Sequence, residues 1–231
     1  MSAFPFQIVG FDLDGTLFDT SADLTRAVNH ALSLAGRPAL SVEMVKPMIG
    51  RGARHMLGEG LRASGGCDEA LLSELHPELL RFYEANISAG TVAYPGLFNA
   101  LDALAERSVR VGIVTNKLFG LAQKLIAELG LAHRFEVVLG GDSLGPGKAK
   151  PAPDLIAAMV ERMGGGHAAF VGDSIYDVGA AHAAGIPAVA VSFGFMMQPV
   201  AELGADAVID HYDELLPTLE RLGNAGQPTG R

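Results

Sequence analysis

The sequence has little cysteine and little positive charge. Its 231 residues include a single cysteine, Cys67, so the chain cannot form an internal disulfide. We expect an inert thiol and a reducing compartment. Lysine and arginine number 17 against 26 aspartates and glutamates, which gives a net charge of −9. This balance argues against nucleic acid or an anionic membrane as the main partner, and an anionic substrate would need a metal ion or a few well-placed cations.

Long hydrophobic runs are also missing. The most apolar stretch, residues 183–197, is interrupted by Gly185, Pro187 and Gly194. No segment therefore approaches the roughly 20 apolar residues that a membrane helix needs. The first basic residue is Arg26, so the start of the sequence lacks the basic segment of a targeting signal. We expect a cytoplasmic protein that does not bind membranes.

What the sequence does contain is an alternation of short apolar segments with amphipathic ones. Short unbroken apolar runs are typical of strands buried on both faces of a parallel sheet. Helical patterns lie between them, for example at residues 119–130 and 152–164. The alternation predicts an α/β fold with a doubly wound parallel sheet. The predicted strands are residues 7–13, 109–116, 136–141, 168–174, 187–194 and 205–210.

One long region breaks this alternation. About eighty residues after the first strand carry only helical patterns, which is too long for a strand–helix–strand connection. We predict a core domain of residues 1–18 and 92–231 and an inserted helical domain of residues 19–91, with hinges near residues 16–20 and 89–95. Thr20 or Ser21 is the predicted N-cap of its first helix. The predicted helices of the insert are residues 21–36, 41–48, 51–63 and 68–88.

Polar residues follow several of the predicted strands. In an open α/β sheet, ligands bind at the carboxyl ends of the strands, where such residues converge. Any one of them has an ordinary structural explanation, such as a helix cap. Together they predict a functional site. The residues are Asp12 and Asp14, Thr115 and Asn116, Lys150, and Asp173 with Asp177.

These residues lie in four motifs: DLDGT (12–16), VTN (114–116), KPAPD (150–154) and GDSIYD (172–177). In order and spacing the motifs resemble the haloacid dehalogenase superfamily of phosphotransferases, over nearly the whole chain. A lone D-x-D pattern is weak evidence, but four motifs in order are specific. The resemblance implies that the helical insert is a substrate cap.

The residue types also suit phosphate-ester chemistry on physical grounds. Such a reaction needs an in-line nucleophile, a proton donor for the leaving oxygen, and positive charge. Asp12 is the predicted nucleophile and would form an aspartyl-phosphate. Asp14, two residues further on the same strand face, is the predicted acid and then base. The groups predicted to bind the phosphate are Thr115, Asn116 and Lys150.

The resemblance further implies a Mg²⁺ ion on Asp12, the backbone carbonyl of Asp14, and Asp173. These are the hard oxygen ligands that Mg²⁺ prefers. Asp177 is expected behind these ligands or as a helix cap. Asp14 also favours a phosphate ester, because a hydrolytic dehalogenase would lack this second aspartate and a phosphonate-cleaving relative would carry a small residue there.

The helical insert bears on the substrate, which we expect to be a small phosphate ester. Residues 18–38 and 48–61 resemble the bacterial phosphoglycolate phosphatases of this superfamily. They resemble pyrophosphatases and N-acetylmuramic acid 6-phosphate phosphatases less closely. We predict that Arg51, which stands between two glycines, pairs with the carboxylate of 2-phosphoglycolate. The other candidate cations of the insert are Lys46, Arg54 and His55.

Other functions stay open at this point. A sugar phosphomutase would use the same aspartyl-phosphate, and a phosphate-binding module would use the same contacts without catalysis. Nucleotide binding is poorly supported, because residues 146–150 lack the pattern of a P-loop and residues 50–55 lack that of a dinucleotide site. No feature of the sequence distinguishes a monomer from a homodimer.

Overall fold

Short apolar segments build a central sheet. The computed structural model describes residues 4–195 and 197–225. Its strands in those residues are β1 (Ile8–Phe11), β2 (Phe18–Asp19), β3 (Val92–Ala93), β4 (Arg110–Val114), β5 (Val137–Leu139), β6 (Ala168–Gly172), β7 (Ala188–Val191) and β8 (Ala207–Ile209). Six of them form one parallel sheet in the order β5–β4–β1–β6–β7–β8. The six predicted strands are these six, and the predicted parallel sheet is confirmed.

Helices cover both faces of this sheet. In the described residues they are α1 (Ser21–Leu34), α2 (Val42–Val45), α3 (Ala53–Ser64), α4 (Glu69–Ala85), α5 (Leu97–Glu106), α6 (Phe119–Glu128), α7 (Asp154–Arg162), α8 (Ile175–Ala183) and α9 (Leu215–Ala225). Helices α5, α6 and α9 pack on the face that carries Val9 and Phe11, whereas α7 and α8 pack on the face that carries Ile8 and Phe170. Both faces are therefore apolar, as a doubly wound sheet requires. None of these helices combines the length and the apolar content that a membrane span would require.

The helices α1 to α4 form the predicted insert, which we call the helical insert (Ser21–Ala85). Helix α1 packs its apolar residues against α3 and α4. The predicted helix 41–48 is divided into α2 and a 3-10 turn, Lys46–Met48. Pro47 explains the division, because proline has no N–H to continue α-helical hydrogen bonding.

A short ribbon, β2 and β3, joins the helical insert to the sheet. Phe18 pairs with Ala93 and Asp19 pairs with Val92 in antiparallel register. The two predicted hinge segments, residues 16–20 and 89–95, therefore lie side by side. The predicted domain boundaries fall at this ribbon, and the movement of residues 19–91 as a separate domain stays a prediction.

Candidate active site

Three neighbouring strands deliver polar residues to one edge of the sheet. Asp12 follows β1, Thr115 and Asn116 follow β4, and Asp173 follows β6. Because β4, β1 and β6 are adjacent and parallel, these residues meet above the same edge. Together with the helical insert they enclose a space that we call the inner cleft. The residues that line it include Asp12, Asp14, Thr115, Asn116, Lys117, Leu24, Ile49, Met56, Leu79 and Tyr83.

Lys150 lies between two carboxylates. Its ammonium is 2.7 Å from Asp12 and 2.5 Å from Asp177, and it donates a hydrogen bond to the carbonyl of Val114 at 2.8 Å. Burial lowers the pKa of Lys150, but the two carboxylates outweigh it and raise that pKa. Burial raises the pKa of Asp12 to about 6 against the opposing effect of Lys150. The lysine therefore supplies fixed positive charge at the predicted nucleophile.

Asp177 has a structural role in addition to this ion pair. Its second carboxylate oxygen accepts hydrogen bonds from the backbone N–H of Ser174 at 3.0 Å and from the Ser174 hydroxyl at 2.5 Å. This arrangement is a capping box at the start of α8. The sequence analysis expected Asp177 either as a helix cap or behind the metal ligands. The structure shows the helix cap, and the position of Asp177 relative to a metal stays a prediction.

The carboxylates at this edge fit a divalent cation. Asp12, Asp173 and Asp177 each offer an oxygen, and these atoms lie within 4.8 Å of one another. Asp173 accepts a hydrogen bond from the N–H of Phe195 at 2.6 Å, and burial, then Asp177 and Asp12, raise its pKa well above the ordinary value. Three buried carboxylates face one lysine, so the site has excess negative charge and hard oxygen donors. A metal ion would remove this imbalance.

Gly15 and Gly194 have no side chains, and the side chain of Asp173 occupies the room next to both of them. A Cβ on Gly15 or on Gly194 would overlap the side chain of Asp173. Gly15 also has a φ of 85°, which turns the chain sharply after Asp14. A ligand role for the backbone carbonyl of Asp14 stays a prediction.

Asp14 is held by two groups, one of which the sequence analysis missed. Lys117 donates to both carboxylate oxygens, at 2.7 and 2.9 Å, and Thr20 donates its hydroxyl at 2.7 Å. Thr20 occupies the N-cap position of α1, yet its side chain makes no capping hydrogen bond. Asp12 and Asp14 both lie beyond Phe11, the last residue of β1. The turn after the strand therefore sets the directions of the two side chains, and the expectation that they share a strand face is wrong. A lysine directly after the strand-end pair Thr115–Asn116 was the available signal for Lys117.

Thr115 and Asn116 lie at the floor of the inner cleft. The hydroxyl of Thr115 is buried and accepts a hydrogen bond from the N–H of Lys117 at 3.2 Å. The amide of Asn116 donates to the carbonyl of Gly50 at 2.9 Å and to that of Lys150 at 3.0 Å. Asn116 thus ties the helical insert to the sheet edge. Its predicted contact with a phosphate stays a prediction.

Known proteins match this chain in sequence and in fold over most of its length. The sequence model of a family described as haloacid dehalogenase-like hydrolase matches residues 9–191. A phosphoglycolate phosphatase from Rhodospirillum rubrum is 40% identical over 216 residues, which are 90% of this chain and 89% of that one. Another from Agrobacterium fabrum is 36% identical and covers 94% of each chain. The crystal structure of a predicted phosphoglycolate phosphatase from Haemophilus somnus is 29% identical, has a TM-score of 0.86, and covers 93% of this chain and 98% of its own.

The chain belongs to the haloacid dehalogenase-like hydrolase family. The predicted family and the predicted class of enzyme, a phosphatase, are confirmed.

Arg51 does not reach the inner cleft of this haloacid dehalogenase-like hydrolase. Its guanidinium lies 5.9 Å from the ring centroid of Tyr176, in an outer groove that Lys150 also lines and that adjoins the inner cleft at Asn116 and Leu118. Lys46 pairs with Asp19 at 3.5 Å. The remaining candidate cations contact residues within the insert: Arg54 pairs with Glu69, and His55 lies 3.9 Å from Glu59.

Proposed function

We propose that the protein is a Mg²⁺-dependent phosphomonoester hydrolase that acts through an aspartyl-phosphate on Asp12, with 2-phosphoglycolate as its substrate. The observation that carries the proposal is the position of Asp12, a buried carboxylate at the end of β1 that faces the inner cleft with Lys150 at 2.7 Å. A nucleophile, fixed positive charge and a polar strand end therefore meet at one point.

In the first step, the carboxylate of Asp12 attacks phosphorus while the bond between phosphorus and the ester oxygen breaks. Protonated Asp14 gives its proton to that oxygen, and the alcohol leaves. Thr20 and Lys117 fix the carboxyl group of Asp14 for this transfer. Lys150 stabilises the negative charge that develops on the phosphoryl oxygens and on Asp12.

In the second step, Asp14 takes a proton from water, and the resulting hydroxide attacks phosphorus. The Asp12–phosphorus bond breaks, which releases inorganic phosphate, restores the carboxylate of Asp12 and leaves Asp14 protonated for the next cycle. Asp12 and Asp173 would hold Mg²⁺ together with the carbonyl of Asp14. The ion would supply charge neutralisation for the phosphoryl group.

The choice of 2-phosphoglycolate has two supports. The relatives of 36 and 40% identity are named phosphoglycolate phosphatases. The inner cleft is also closed over by apolar residues of the helical insert, including Ile49, Met56 and Leu79, which suits a small substrate. N-acetylmuramic acid 6-phosphate is a bulky sugar ester, and an apolar wall close to Asp12 disfavours it.

The test is a panel of phosphate compounds assayed for phosphate release, with kcat/KM measured with Mg²⁺ and in excess chelator. The panel contains 2-phosphoglycolate, pyrophosphate, N-acetylmuramic acid 6-phosphate and a sugar phosphate. The proposal expects the highest kcat/KM for 2-phosphoglycolate and no activity in chelator. Isomerised sugar phosphate without phosphate release would indicate a phosphomutase instead, and full activity in chelator would refute the metal requirement.

A further inference from the structure

Lys117 supplies a buried cation beside the proposed acid. The residue is 8% exposed, and its ammonium lies 2.7 Å from Asp14 and 4.7 Å from the ring centroid of Tyr83. Two of its three N–H groups suffice for the contacts with Asp14, and the third can be shared between the Tyr83 hydroxyl and a ligand. Within the part of the chain that the structure describes, Lys117 is the one cationic residue that lines the inner cleft.

Tyr83 brings a second donor to the same wall from α4 of the helical insert. The residue is 2% exposed, its hydroxyl lies beside the Lys117 ammonium, and the hydroxyl proton has no acceptor among the described residues. Burial raises the pKa of Tyr83 to about 12, so the hydroxyl keeps its proton and can donate it in a hydrogen bond. A buried hydroxyl proton without an acceptor is costly, and one that lines a cleft indicates a ligand there.

The positions of these donors limit what they can bind. Asp14 must touch the ester oxygen in the proposed reaction, and Lys117 lies one hydrogen-bond length from Asp14. A group reached by Lys117 is therefore within one or two carbons of the ester oxygen. The rest of this wall is apolar, for example Leu24 and Met56, so an anionic group has no cationic partner there except Lys117.

We propose that Lys117 and Tyr83 together bind a carboxylate of the substrate that is one carbon away from the ester oxygen, and so select 2-phosphoglycolate over uncharged phosphate esters. This inference rests on the proposed function. It assigns to the sheet edge and α4 the recognition that the sequence analysis assigned to Arg51, which lines the outer groove.

The test compares 2-phosphoglycolate with ethyl phosphate, which has the same chain length and no carboxylate. The quantity measured is the ratio of their kcat/KM values. Lys117→Met should lower this ratio by about 30- to 1000-fold, as expected for loss of a buried ion pair. Tyr83→Phe should lower it by about 10-fold, since a hydroxyl bond to a charged group is lost. Lys117→Arg keeps the charge and should recover part of the preference.

Lys124→Met is the matched control, because Lys124 is exposed on α6 and pairs with Glu128 at 2.6 Å. It should leave the ratio unchanged. An equal fall for both substrates in Lys117→Met would show that Lys117 acts only on Asp14, and would overturn the inference. Tyr83→Phe decides the matter if Lys117→Met does not fold, since an unchanged ratio there also overturns it. A wild-type enzyme that does not hydrolyse 2-phosphoglycolate would contradict the proposed function itself.

Discussion

Asp12 is the proposed nucleophile, and it is a buried carboxylate directly after β1. Asp12→Asn keeps the shape of the side chain but removes the attacking charge. We expect kcat to fall by at least ~10³-fold, the scale of losing a key catalytic group. Steady-state phosphate release at saturating Mg²⁺ measures kcat. The control is Asp102→Asn, because Asp102 is exposed on α5. Retention of more than about a tenth of the wild-type kcat would exclude Asp12 as the nucleophile.

Gly194 affects the site because its missing side chain leaves room for Asp173. A Cβ at this position would overlap Asp173 and approach the carbonyl of Gly15. Gly194→Ala should therefore displace Asp173 and lower kcat/KM by about 100-fold or more, as a 1 Å misplacement at a catalytic site does. The affinity of the Gly194→Ala variant for Mg²⁺, measured by calorimetry, should also fall.

Gly120→Ala is the matched control for that prediction. Gly120 lies in α6, and nothing within 4 Å would meet an added Cβ. Alanine favours a helix over glycine, so this variant should be fully active and slightly more stable. Equal activity of the two alanine variants would show that Asp173 tolerates displacement, and that the close approach of Gly194 has no functional consequence.

Some residues of the candidate site could be identified from the sequence, and others could not. Asp12 and Lys150 belong to recognisable motifs, and both lie where the motifs predict. Lys117 belongs to none of them, and its partner Asp14 is 103 residues away in the chain. The direction of Arg51 depends on Tyr176, another distant residue. Such pairings depend on how the insert packs on the sheet, which local pattern does not determine.

At the scale of elements, the six strands were predictable because each is a short apolar run, and the four central strands β4, β1, β6 and β7 are buried on both faces. The ends of the elements were less predictable. For example, Asp12 and Asp14 follow β1 and are not part of it. The ribbon of β2 and β3 was not predicted, because each strand has only two residues and its pairing is long-range.

The connection between the helical insert and the returning chain depends on one buried carboxylate, Asp23 in α1. It accepts hydrogen bonds from the N–H of Gly90 at 3.0 Å and the hydroxyl of Thr91 at 2.7 Å, and it pairs with Arg26. Asp23→Ala would leave these donors without a partner. We expect the free energy of unfolding to fall by about 2–3 kcal/mol, measured by urea denaturation.

The comparison for Asp23 is Asp213→Ala. Asp213 is largely exposed beside His211, and its removal should change the free energy of unfolding by less than about 0.5 kcal/mol. If Asp23→Ala is no less stable than this control, the carboxylate does not hold the two segments together. The bonds to Gly90 and Thr91 would then be replaceable by water.

Over the whole molecule, charge is distributed unevenly. The net charge is −9, and part of the negative charge is buried at the sheet edge rather than solvated at the surface. Burial of carboxylates costs stability unless cations compensate, and Lys150 compensates only in part. The stability of the whole protein should therefore depend on both pH and Mg²⁺.

The sign of this dependence follows from Asp12 and Asp173. Burial raises both pKa values, that of Asp12 from 3.8 to about 6, so the folded state binds protons more tightly than the unfolded state. The contribution of Asp12 is present below about pH 4 and is lost as pH rises through about 6, and the contribution of Asp173 has the same sign. For Asp12 the loss is roughly 3 kcal/mol, from about two pKa units.

Mg²⁺ should oppose this loss, because at the proposed site it would bind the deprotonated carboxylates of the folded state. We expect Mg²⁺ to raise Tm by about 5 °C or more at pH 7.5 and by much less at pH 5.0, where protons compete for the same oxygens. Differential scanning calorimetry at both pH values, with and without Mg²⁺, measures the difference. Asp173→Asn removes one ligand and one buried charge, so it should reduce the Mg²⁺ effect at pH 7.5. An equal Mg²⁺ effect at both pH values would show that the ion binds elsewhere.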